Sequence, residues 1–430
     1  MNSPEDWEEK RLGDLSTLVT SGSRGWSRYY SEVGALFVRI GNLTRDHINL
    51  RLDDVVFVQP PRDGEGQRTQ LLAGDLLISI TADLGIIGVV PAKLGAAYVN
   101  QHIALLRIDP STANSRWLGH FMSSANGRRQ VRRLDDAGAK AGLNLPTVKS
   151  LLASVPPLPE QRAIAAVLDA IDDSIRKTEQ IIAKLRQVKH GLLHDLLTRG
   201  IDDNGELRDP ERHPEQFQDS PLGRIPKGWE VASIESSCLA IVDCPHTTPI
   251  YLDDGVLVAR TTQIKAGRFD EVGASRVSSA EYLQRIARMK PRPGDVILTR
   301  EAPVGEAFVI PDGMRICLGQ RVMLLRANQS VLSPHFLVAQ VYSGEVARKI
   351  ERISGGSTNP HVNVSDVRGF QIPRPSRTEQ EQISISLREL DCRIDRESTG
   401  LSKLRKMKSG LAEDLLTGRV RTTSLGEISA

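Results

Sequence analysis

The stretch PPLPEQRAIAAVLDAIDDSIRKTEQIIAKLRQVKHGLLHDLLT, from Pro156 to Thr198, decides how the chain is organised. Apolar residues recur along it every seven positions, with a second set four residues behind, and this spacing lines one face of a helix. Pro159 fits the first helical turn, where no backbone N–H is needed. About five heptads of this pattern predict one long helix that packs against a partner of similar length.

A partner for this helix lies in the same chain, from Glu379 to Val420, at a constant offset of 219 residues (Glu160 to Glu379). The match includes polar residues, because Lys189 and Asp195 answer Lys408 and Asp414. Shared polar residues in register indicate an internal duplication. The apolar positions predicted to form the helix-pair interface are Ile164, Leu168, Ile171, Ile175, Ile182, Leu185 and Leu192 in the first helix, and Ile383, Leu387, Leu390, Ile394, Leu401, Leu404 and Leu411 in the second.

The segment before each long helix is also repeated. Gly74-Asp75 answers Gly294-Asp295, and His120-Phe121 is matched with His335-Phe336, so that the offset drifts from 222 to 215 and returns to 219. Short apolar runs with Gly and Pro between them predict a mixed module of strands and helices. We expect a mixed α/β fold in which two duplicated modules are separated by a long antiparallel helix pair with pseudo-two-fold symmetry.

The repeat divides the chain into six predicted segments. They are a first α/β module at 1–157, a long helix at 158–199, a polar linker at 200–222, a second α/β module at 223–375, a second long helix at 376–418 and a tail at 419–430.

Composition limits the classes of protein that the chain can represent. A chain of 430 residues with 40% hydrophobic and 25% charged residues is typical of a multidomain globular protein. No apolar run approaches the ~18 residues that cross a bilayer, and the N-terminus is acidic and polar. We therefore expect no membrane association and a cytoplasmic location, which the four cysteines without paired spacing also fit. The net charge of +3 leaves nucleic-acid binding to local patches.

The residues that catalysis requires are missing from the sequence. No phosphate-binding G-x-x-x-x-G-K-[ST] loop is present. Asn359-Pro360-His361-Val362 lacks the second proline and the aromatic residue of an amino-methyltransferase loop. Cys238, Cys244 and His246 match no zinc spacing, and buried thiols are the simpler interpretation. We predict no catalytic residue, no metal site and no cofactor in this chain.

One predicted helical face is basic. Arg128, Arg129 and Arg132, with Arg133 beside them, lie within two turns, and this arrangement suits contact with DNA phosphates. A solvated helix surface, neutralised by Asp135 and Asp136, explains the same pattern equally well, so both interpretations stay open.

Residues that are suited to base contacts follow the predicted strands. They are Arg39, Asn42 and Arg45 in the first module and Arg260, Thr262 and Gln263 in the second. Arg, Asn and Gln side chains pair with guanine or adenine edges, although exposed loops carry these residue types for other reasons too. Gln101 and His102 stand where the second module has Gln320 and Arg321, a difference expected of modules that recognise different sequences.

Several motifs of the chain resemble the specificity subunit of Type I restriction–modification systems. The first long helix opens with Pro157-Leu158-Pro159-Glu160-Gln161-Arg162 and closes with Leu192–Gly200. The linker carries Gly200–Asn204 and Asp219–Trp229, and Gly355–Thr358 leads to Val362-Asn363-Val364 before the second helix. The second helix departs from the pattern, because Pro375-Ser376-Arg377-Thr378 replaces Pro-Leu-Pro, and we expect Ser376 or Thr378 to cap it.

The resemblance implies a non-catalytic subunit that binds double-stranded DNA. In that family two recognition domains each bind half of a split, asymmetric DNA sequence. The long helices hold the domains apart and dock two adenine-N6 methyltransferase subunits, and restriction/translocase subunits join for cleavage. S-adenosylmethionine, ATP and magnesium would belong to those partners.

Two alternatives come from other classes of protein. One is a stand-alone methyltransferase–nuclease with a fused DNA-recognition module, and the missing catalytic loops argue against it. The other is a coiled-coil scaffold that recognises no DNA. A steep dependence of DNA binding on salt concentration would distinguish the predicted function from the scaffold.

Overall fold

Two antiparallel four-stranded sheets of identical connectivity organise the protein, one in each half of the sequence. The structure, a computed structural model, describes residues 4–61, 64–135, 142–354 and 360–422. The chain forms two compact units, Met1–Gln180 with Ser398–Ala430, and Ile181–Glu397. The predicted features at Asp136, Gly355–Thr358 and Asn359, and the tail from residue 423, lie outside the described residues.

The first unit contains one α/β module and parts of both long helices. Its strands are β1 (Glu8–Arg11), β2 (Ser16–Ser21), β3 (Tyr30–Ser31), β4 (Ala35–Val38), β5 (Phe57–Val58), β6 (Leu76–Ser79), β7 (Ile87–Val89), β8 (Ala97–Val99), β9 (Ile103–Ile108) and β10 (Leu152–Val155). Its helices are α1 (Gly64–Thr69), α2 (Ser115–Ser123), α3 (Ala125–Asp135), α4 (Leu145–Ser150) and the first part of α5 (Leu158–Thr198), with 3-10 turns at Trp26–Tyr29 and Ile40–Asn42.

The second unit repeats this arrangement. Its strands are β11 (Phe217–Ser220), β12 (Gly223–Pro226), β13 (Glu230–Ser233), β14 (Cys238–Asp243), β15 (Val256–Ala259), β16 (Ile264–Lys265), β17 (Arg268–Phe269), β18 (Arg276–Val277), β19 (Val296–Thr299), β20 (Ala307–Val309), β21 (Ile316–Leu318), β22 (Val322–Ala327) and β23 (Gln371–Arg374). Its helices are α6 (Ile234–Ser237), α7 (Ser279–Arg285), α8 (Pro334–Tyr342), α9 (Gly344–Ser354), α10 (Val364–Gly369) and the first part of α11 (Arg377–Leu416), with 3-10 turns at Pro214–Gln216 and Thr261–Gln263.

Sheet topology is duplicated along with the sequence. The order β2-β9-β6-β7 corresponds to β14-β22-β19-β20, and the ribbon β1-β10 corresponds to β13-β23. A second sheet in each unit contains a parallel pair, β4 with β8 and β15 with β21. The prediction of a mixed α/β fold with two duplicated modules is confirmed.

The structure corrects the sequence alignment of the two modules at one place. Gly85 packs on Val131 of α3, and Gly305 packs on Ile350 of α9, which puts these helices at an offset of 219. Trp117 and Phe336 fill the same core position at that offset. The match of His120-Phe121 with His335-Phe336 was therefore wrong, and no drift to 215 occurs.

The long helices pack against each other in both units, as predicted. In the first unit Lys408 Nζ lies 2.6 Å from Asp172 Oδ1, and Arg405 lies 2.7 Å from Glu179. In the second unit Lys189 Nζ lies 2.6 Å from Asp391 Oδ1. Partner numbers fall along α11 as they rise along α5, so the helices are antiparallel.

The predicted interface residues lie on the packed faces of the helices. Ile164, Leu168, Ile171, Ile182, Leu185, Ile383, Leu387 and Ile394 are buried, whereas Ile175, Leu192, Leu390, Leu401, Leu404 and Leu411 are half-buried. Ile164 and Leu168 share a core with the sheet residues of the first module and with Leu415 and Leu416 of α11. Leu196 and Leu197 share the corresponding core of the second unit with Ile383 and Leu387. Which of these residues also contact partner proteins stays a prediction.

The same internal contacts occur at the start of both long helices. Gln161 accepts a hydrogen bond from Asn114 N and donates one to Pro156 O, and Gln380 does the same with Ser333 N and Pro375 O. Both glutamines are fully buried. Ser376 Oγ accepts a hydrogen bond from Glu379 N at 3.2 Å and so caps α11, whereas Thr378 lies inside the helix.

Two residues after each long helix the chain has a glycine in the left-handed conformation, which a residue with a Cβ adopts only at a cost. Gly418 (φ +71°) lies against Pro4 and Trp7, and Gly200 (φ +63°) lies against Trp229 and Glu379. The chain that follows then closes each unit with an arginine. Arg421 binds Glu160 at 2.7 Å and Asp6 at 2.7 Å, and Arg208 binds Glu379 at 2.5 Å.

The linker is more structured than a connector between domains. Arg208 fixes it to α11, and β11 and β12 form a hairpin across the predicted boundary at residue 222. Residues 200–222 lie within the second unit. Among the described residues, no helix is both long and apolar enough to cross a membrane.

Replacing Arg421 with methionine should destabilise the first unit. Glu160 is 5% exposed but the Arg421 side chain is 31% exposed, so the loss should cost less than the about 3–5 kcal/mol of a fully buried pair. Hydrogen–deuterium exchange should show faster exchange in β1 and β10 and unchanged exchange in β13 and β23.

Arg419→Met is the matched control, because Arg419 is exposed and pairs with exposed Glu413 and half-buried Asp414. An exposed pair contributes about 0–1 kcal/mol. Equal effects of the two variants would contradict the assigned role of Arg421.

Candidate nucleic-acid interface

The parallel strand pair of each module brings distant candidate residues to one sheet edge. Asn100 N donates to Val38 O at 3.0 Å, so Arg39 and Gln101-His102 follow the same ends of β4 and β8. Gly319 N donates to Ala259 O at 2.8 Å, and this contact places Arg260 beside Gln320-Arg321. We call the segments 39–49 and 260–270 the first and second edge loops.

A third strand end adds residues that the sequence analysis missed. In the first module Ile80 N donates to His102 O, and Thr81 Oγ1 lies 2.7 Å from His102 Nδ1. In the second, Arg300 N donates to Arg321 O, and the Arg300 side chain is 7% exposed, binds Asp243 and lies 3.2 Å from His361 Nε2, so it supports this edge from inside the module. The sequence offered one signal for this difference: Ile80 aligns with Arg300, although the scaffold residues around them match between the two modules.

Asn42 has a structural role instead of the predicted one. It is 2% exposed, and its Nδ2 donates to the carbonyl oxygens of Arg51 and Asp54 at 2.9 Å each. Its Oδ1 accepts from Arg39 N at 2.9 Å. The amide nitrogen and the amide oxygen of Asn42 are both used in hydrogen bonds within the protein. Neither is free to bond a base edge, so Asn42 is not a base-contact candidate.

The other candidates of the first edge loop keep part of their surface exposed. The Arg39 side chain is 34% exposed and binds Asp54 at 3.3 Å. Arg45 binds Asp83 and donates to Leu84 O at 2.9 Å, so it joins the loop to the turn after β6. Gln101 Nε2 lies 3.1 Å from His102 Nε2.

In the second module the candidates differ in how firmly they are held. The Arg260 guanidinium lies over the ring of Tyr251 at 4.7 Å, and Gln263 donates to Gly273 O at 3.3 Å. Gln320 donates to His246 O at 3.0 Å. Thr262 is exposed, and Arg321 is 59% exposed with its Nε 3.0 Å from Glu301.

The basic face of α3 is solvent-exposed. Arg128, Arg129 and Arg132 are exposed, and within the described ranges none of them forms an ion pair. The equivalent helix α9 has a lower positive charge, because Arg348 pairs with Glu345 and Glu351 stands in place of Arg132. Asp135 and Asp136, the residues proposed to neutralise this face, have side chains that the structure does not describe.

A groove of about 1070 Å³ joins the basic face to the first edge loop within the first unit. Arg45 and Arg51 line it from the loop side, Arg128 and Arg129 from α3, and Lys408 from α11. Acidic side chains, Asp53, Glu179 and Glu413 among them, also line the groove, so its basic residues lie on the loop, on α3 and on α11 among groups of opposite charge.

A partly buried cluster of Asp169, His120 and Arg116 fixes α2 to α5 beside the groove. Asp169 lies 2.8 Å from His120 Nε2 and 2.6 Å from an Arg116 nitrogen. Burial alone would raise the pKa of Asp169, but the hydrogen bonds from His120 and Arg116 outweigh it and lower the pKa to about 2. The carboxylate therefore stays charged and holds the module to the helix at neutral pH.

The thiols and histidines show no metal centre. Cys238 is half-buried and Cys244 is fully buried, and burial raises the pKa of the Cys238 thiol to about 12. Across residues 4–61, 64–135, 142–354 and 360–422, no group of three or more His, Cys, Asp or Glu side chains is arranged to hold a metal ion.

Comparison with known proteins identifies the family. Residues 4–187 and 260–405 match the family model described as the type I restriction modification DNA specificity domain. The chain belongs to this family. The family resemblance noted in the sequence is confirmed, as is the prediction that the chain is a non-catalytic DNA-recognition component.

Relatives and solved structures agree with this assignment along most of their length. The MjaX protein of Methanocaldococcus jannaschii, whose name as a type I restriction enzyme specificity subunit is provisional, is 23% identical over 424 residues, 97% of this chain and 94% of that protein. The EcoBI specificity subunit of Escherichia coli is 20% identical over 355 residues, 78% of this chain and 70% of that protein.

Two solved structures share the fold of this family member. The S subunit of a type I restriction–modification system from M. genitalium has a TM-score of 0.58 at 12% identity, with 96% of this chain and 97% of that chain covered. A chain from a structural study of complex assembly and conformational transition in a type I R-M system has a TM-score of 0.54 at 18% identity, with 98% and 100% covered.

Removing the basic face should weaken the salt dependence of DNA binding. If Arg128, Arg129 and Arg132 contact phosphates, their replacement by glutamine should reduce the slope of log K against log salt by about 0.9 for each lost contact. The measurement is fluorescence anisotropy with a random duplex at several salt concentrations.

The control variant replaces three other exposed arginines, Arg212, Arg393 and Arg396, and removes the same charge. An equal fall in slope in both variants would mean that net charge, and not the face of α3, governs binding.

Proposed function

We propose that each unit recognises one half of a bipartite, asymmetric DNA site through its sheet edge. The observation that supports this most is a duplicated edge with different side chains. The first module presents Arg39 and Gln101-His102, and the second presents Arg260 and Gln320-Arg321 at the equivalent strand ends. Identical scaffolds with different polar groups suit recognition of two different sequences.

The chemistry of these groups fits the major-groove edges of bases. Arginine pairs with O6 and N7 of guanine, and glutamine pairs with N6 and N7 of adenine. Thr262 and Arg321 are the most exposed candidates of the second module, and Arg39 is partly exposed in the first. The arginines of α3 hold the DNA backbone in this proposal, which fixes position without carrying sequence information.

The long helices serve as the docking platform for the partner subunits. Ile181, Val188, Ile385 and Met407 are more than 40% exposed on these helices, and exposed apolar groups on a polar helix fit a protein partner. The partners in this proposal are two methyltransferase subunits and restriction/translocase subunits, which bind S-adenosylmethionine, ATP and magnesium. The complex acts on DNA in the cytoplasm.

Exchanging one module should change one half of the recognised sequence. Replacing residues 7–155 with the equivalent segment of a relative alters the first edge and leaves Arg260, Gln320 and Arg321 in place. Sequencing of methylated motifs in cells with the complete system should show one new half-site and one unchanged half-site. A change in both halves would mean that the modules recognise DNA jointly.

Lengthening the helix pair should widen the gap between the half-sites. Four helix-forming residues inserted after Ala183, and four at the equivalent place after Ser402, lengthen each helix by ~6 Å and nearly preserve its face. DNA rises ~3.4 Å per base pair, so the methylated motif should gain one or two base pairs in its gap. An unchanged gap with full methylation would show that the helices do not set the spacing.

A further inference from the structure

The first edge loop is attached to the long helices at two points. Lys408 of α11 donates to Asp46 O at 2.6 Å and also binds Asp172 of α5 at 2.6 Å. Arg116 donates to Asn49 Oδ1 at 2.9 Å while it binds Asp169 of α5. Lys408, which belongs to α11, therefore fixes the first edge loop at Asp46. Arg116, which is bound by α5, fixes its end at Asn49.

The second edge loop is attached at the matched place, with donor and acceptor exchanged. Here Arg268 of the loop binds Asp395 of α11, and its guanidinium lies 3.6 Å from Asp391 Oδ1. Asp391 also binds Lys189 of α5. A second support comes from the module, because Gly267 N donates to the Tyr342 hydroxyl at 2.8 Å and Ala266 N donates to Glu306 at 2.7 Å.

Both attachments converge on the same interhelical ion pair. Lys408–Asp172 and Lys189–Asp391 are equivalent at the offset of 219 residues. In the first unit Lys408 of the helix donates a hydrogen bond to a carbonyl group of the loop. In the second unit Arg268 of the loop binds aspartates of the helix. The contact is thus present twice although the residues that make it differ.

These attachments are well placed to control the candidate base-contacting residues. Arg39 opens the first edge loop, and Arg45, one residue before Asp46, joins the loop to the turn that also carries Thr81 beside His102. Asp172 is 3% exposed, so its contact with Lys408 is shielded from solvent and from salt. A side chain that recognises a base needs its backbone held within about half an ångström.

We propose that Lys408 and Arg268 are positioning residues that set the sequence discrimination of one half-site each. The inference rests on the proposed function, in which the edge loops contact DNA. It adds that the long helices hold each loop in its recognition geometry, so residues far from the base-contacting edge in the sequence determine selectivity.

The test is methylated-motif sequencing in cells that carry the complete system, with wild-type and variant chains. Lys408→Met should raise methylation at sites with one wrong base in the first half-site by about three- to tenfold, the scale set by the net contribution of one ordinary hydrogen bond. Arg268→Met should have this effect in the second half-site only. The module exchange described above assigns each half-site to its module.

Two further variants separate positioning from folding. Lys408→Met combined with Asp172→Asn leaves no buried charge unpaired and should show the same relaxed half-site as Lys408→Met. Lys189→Met breaks the equivalent interhelical pair but removes no contact to an edge loop, so it should relax neither half-site.

Equal relaxation of both half-sites by Lys408→Met, or an effect of Lys189→Met as large as that of Arg268→Met, would overturn the inference. Unchanged discrimination in both positioning variants would overturn it as well and would leave the proposed function intact. A wild-type chain that directs no bipartite motif would contradict the proposed function itself.

Discussion

A lysine–aspartate ion pair between the two long helices, present once in each unit, is the contact on which both edge-loop attachments converge. Apolar faces of long helices slide past each other at low cost, because one leucine replaces another after each heptad. Asp172 and Asp391 each have one lysine partner on the opposite helix, and a slip would strand a carboxylate. Asp172 is buried and Asp391 is half-buried, and together the two pairs favour one alignment among several that the leucines allow.

The sequence predicted the helices and the duplication well because both leave periodic traces. The heptad spacing and the offset of 219 are visible directly in the sequence. Buried polar residues are repeated as well. Asp75 forms a buried bidentate pair with Arg107, and Asp295 does so with Arg326, which explains why Gly-Asp and Leu-Leu-Arg occur in both modules. Such pairs are retained because neither partner tolerates burial alone.

The candidate interface was predicted less completely, for a physical reason. Which side chains face outward at a sheet edge depends on contacts between segments that are far apart in the chain. Asn42 has the same residue type as a base-contacting asparagine, but the carbonyl groups of Arg51 and Asp54 occupy its amide. Arg300 carried no motif, and its position became apparent only from its backbone bond to Arg321. The same dependence misplaced His120 in the alignment, since short helices lack a period long enough to fix an offset.

The first unit combines two segments that are far apart in the sequence, and this affects the order of folding during synthesis on the ribosome. Its core includes Leu415 and Leu416 from the end of α11 together with Ile164 and Leu168 from α5. The second unit, Ile181–Glu397, is continuous in sequence, so all its residues leave the ribosome before the first unit has its last ones. The usual order, in which N-terminal domains finish folding first, is reversed here. Until α11 emerges, the apolar face of α5 near Leu168 lacks the part of its cover that Leu415 and Leu416 supply.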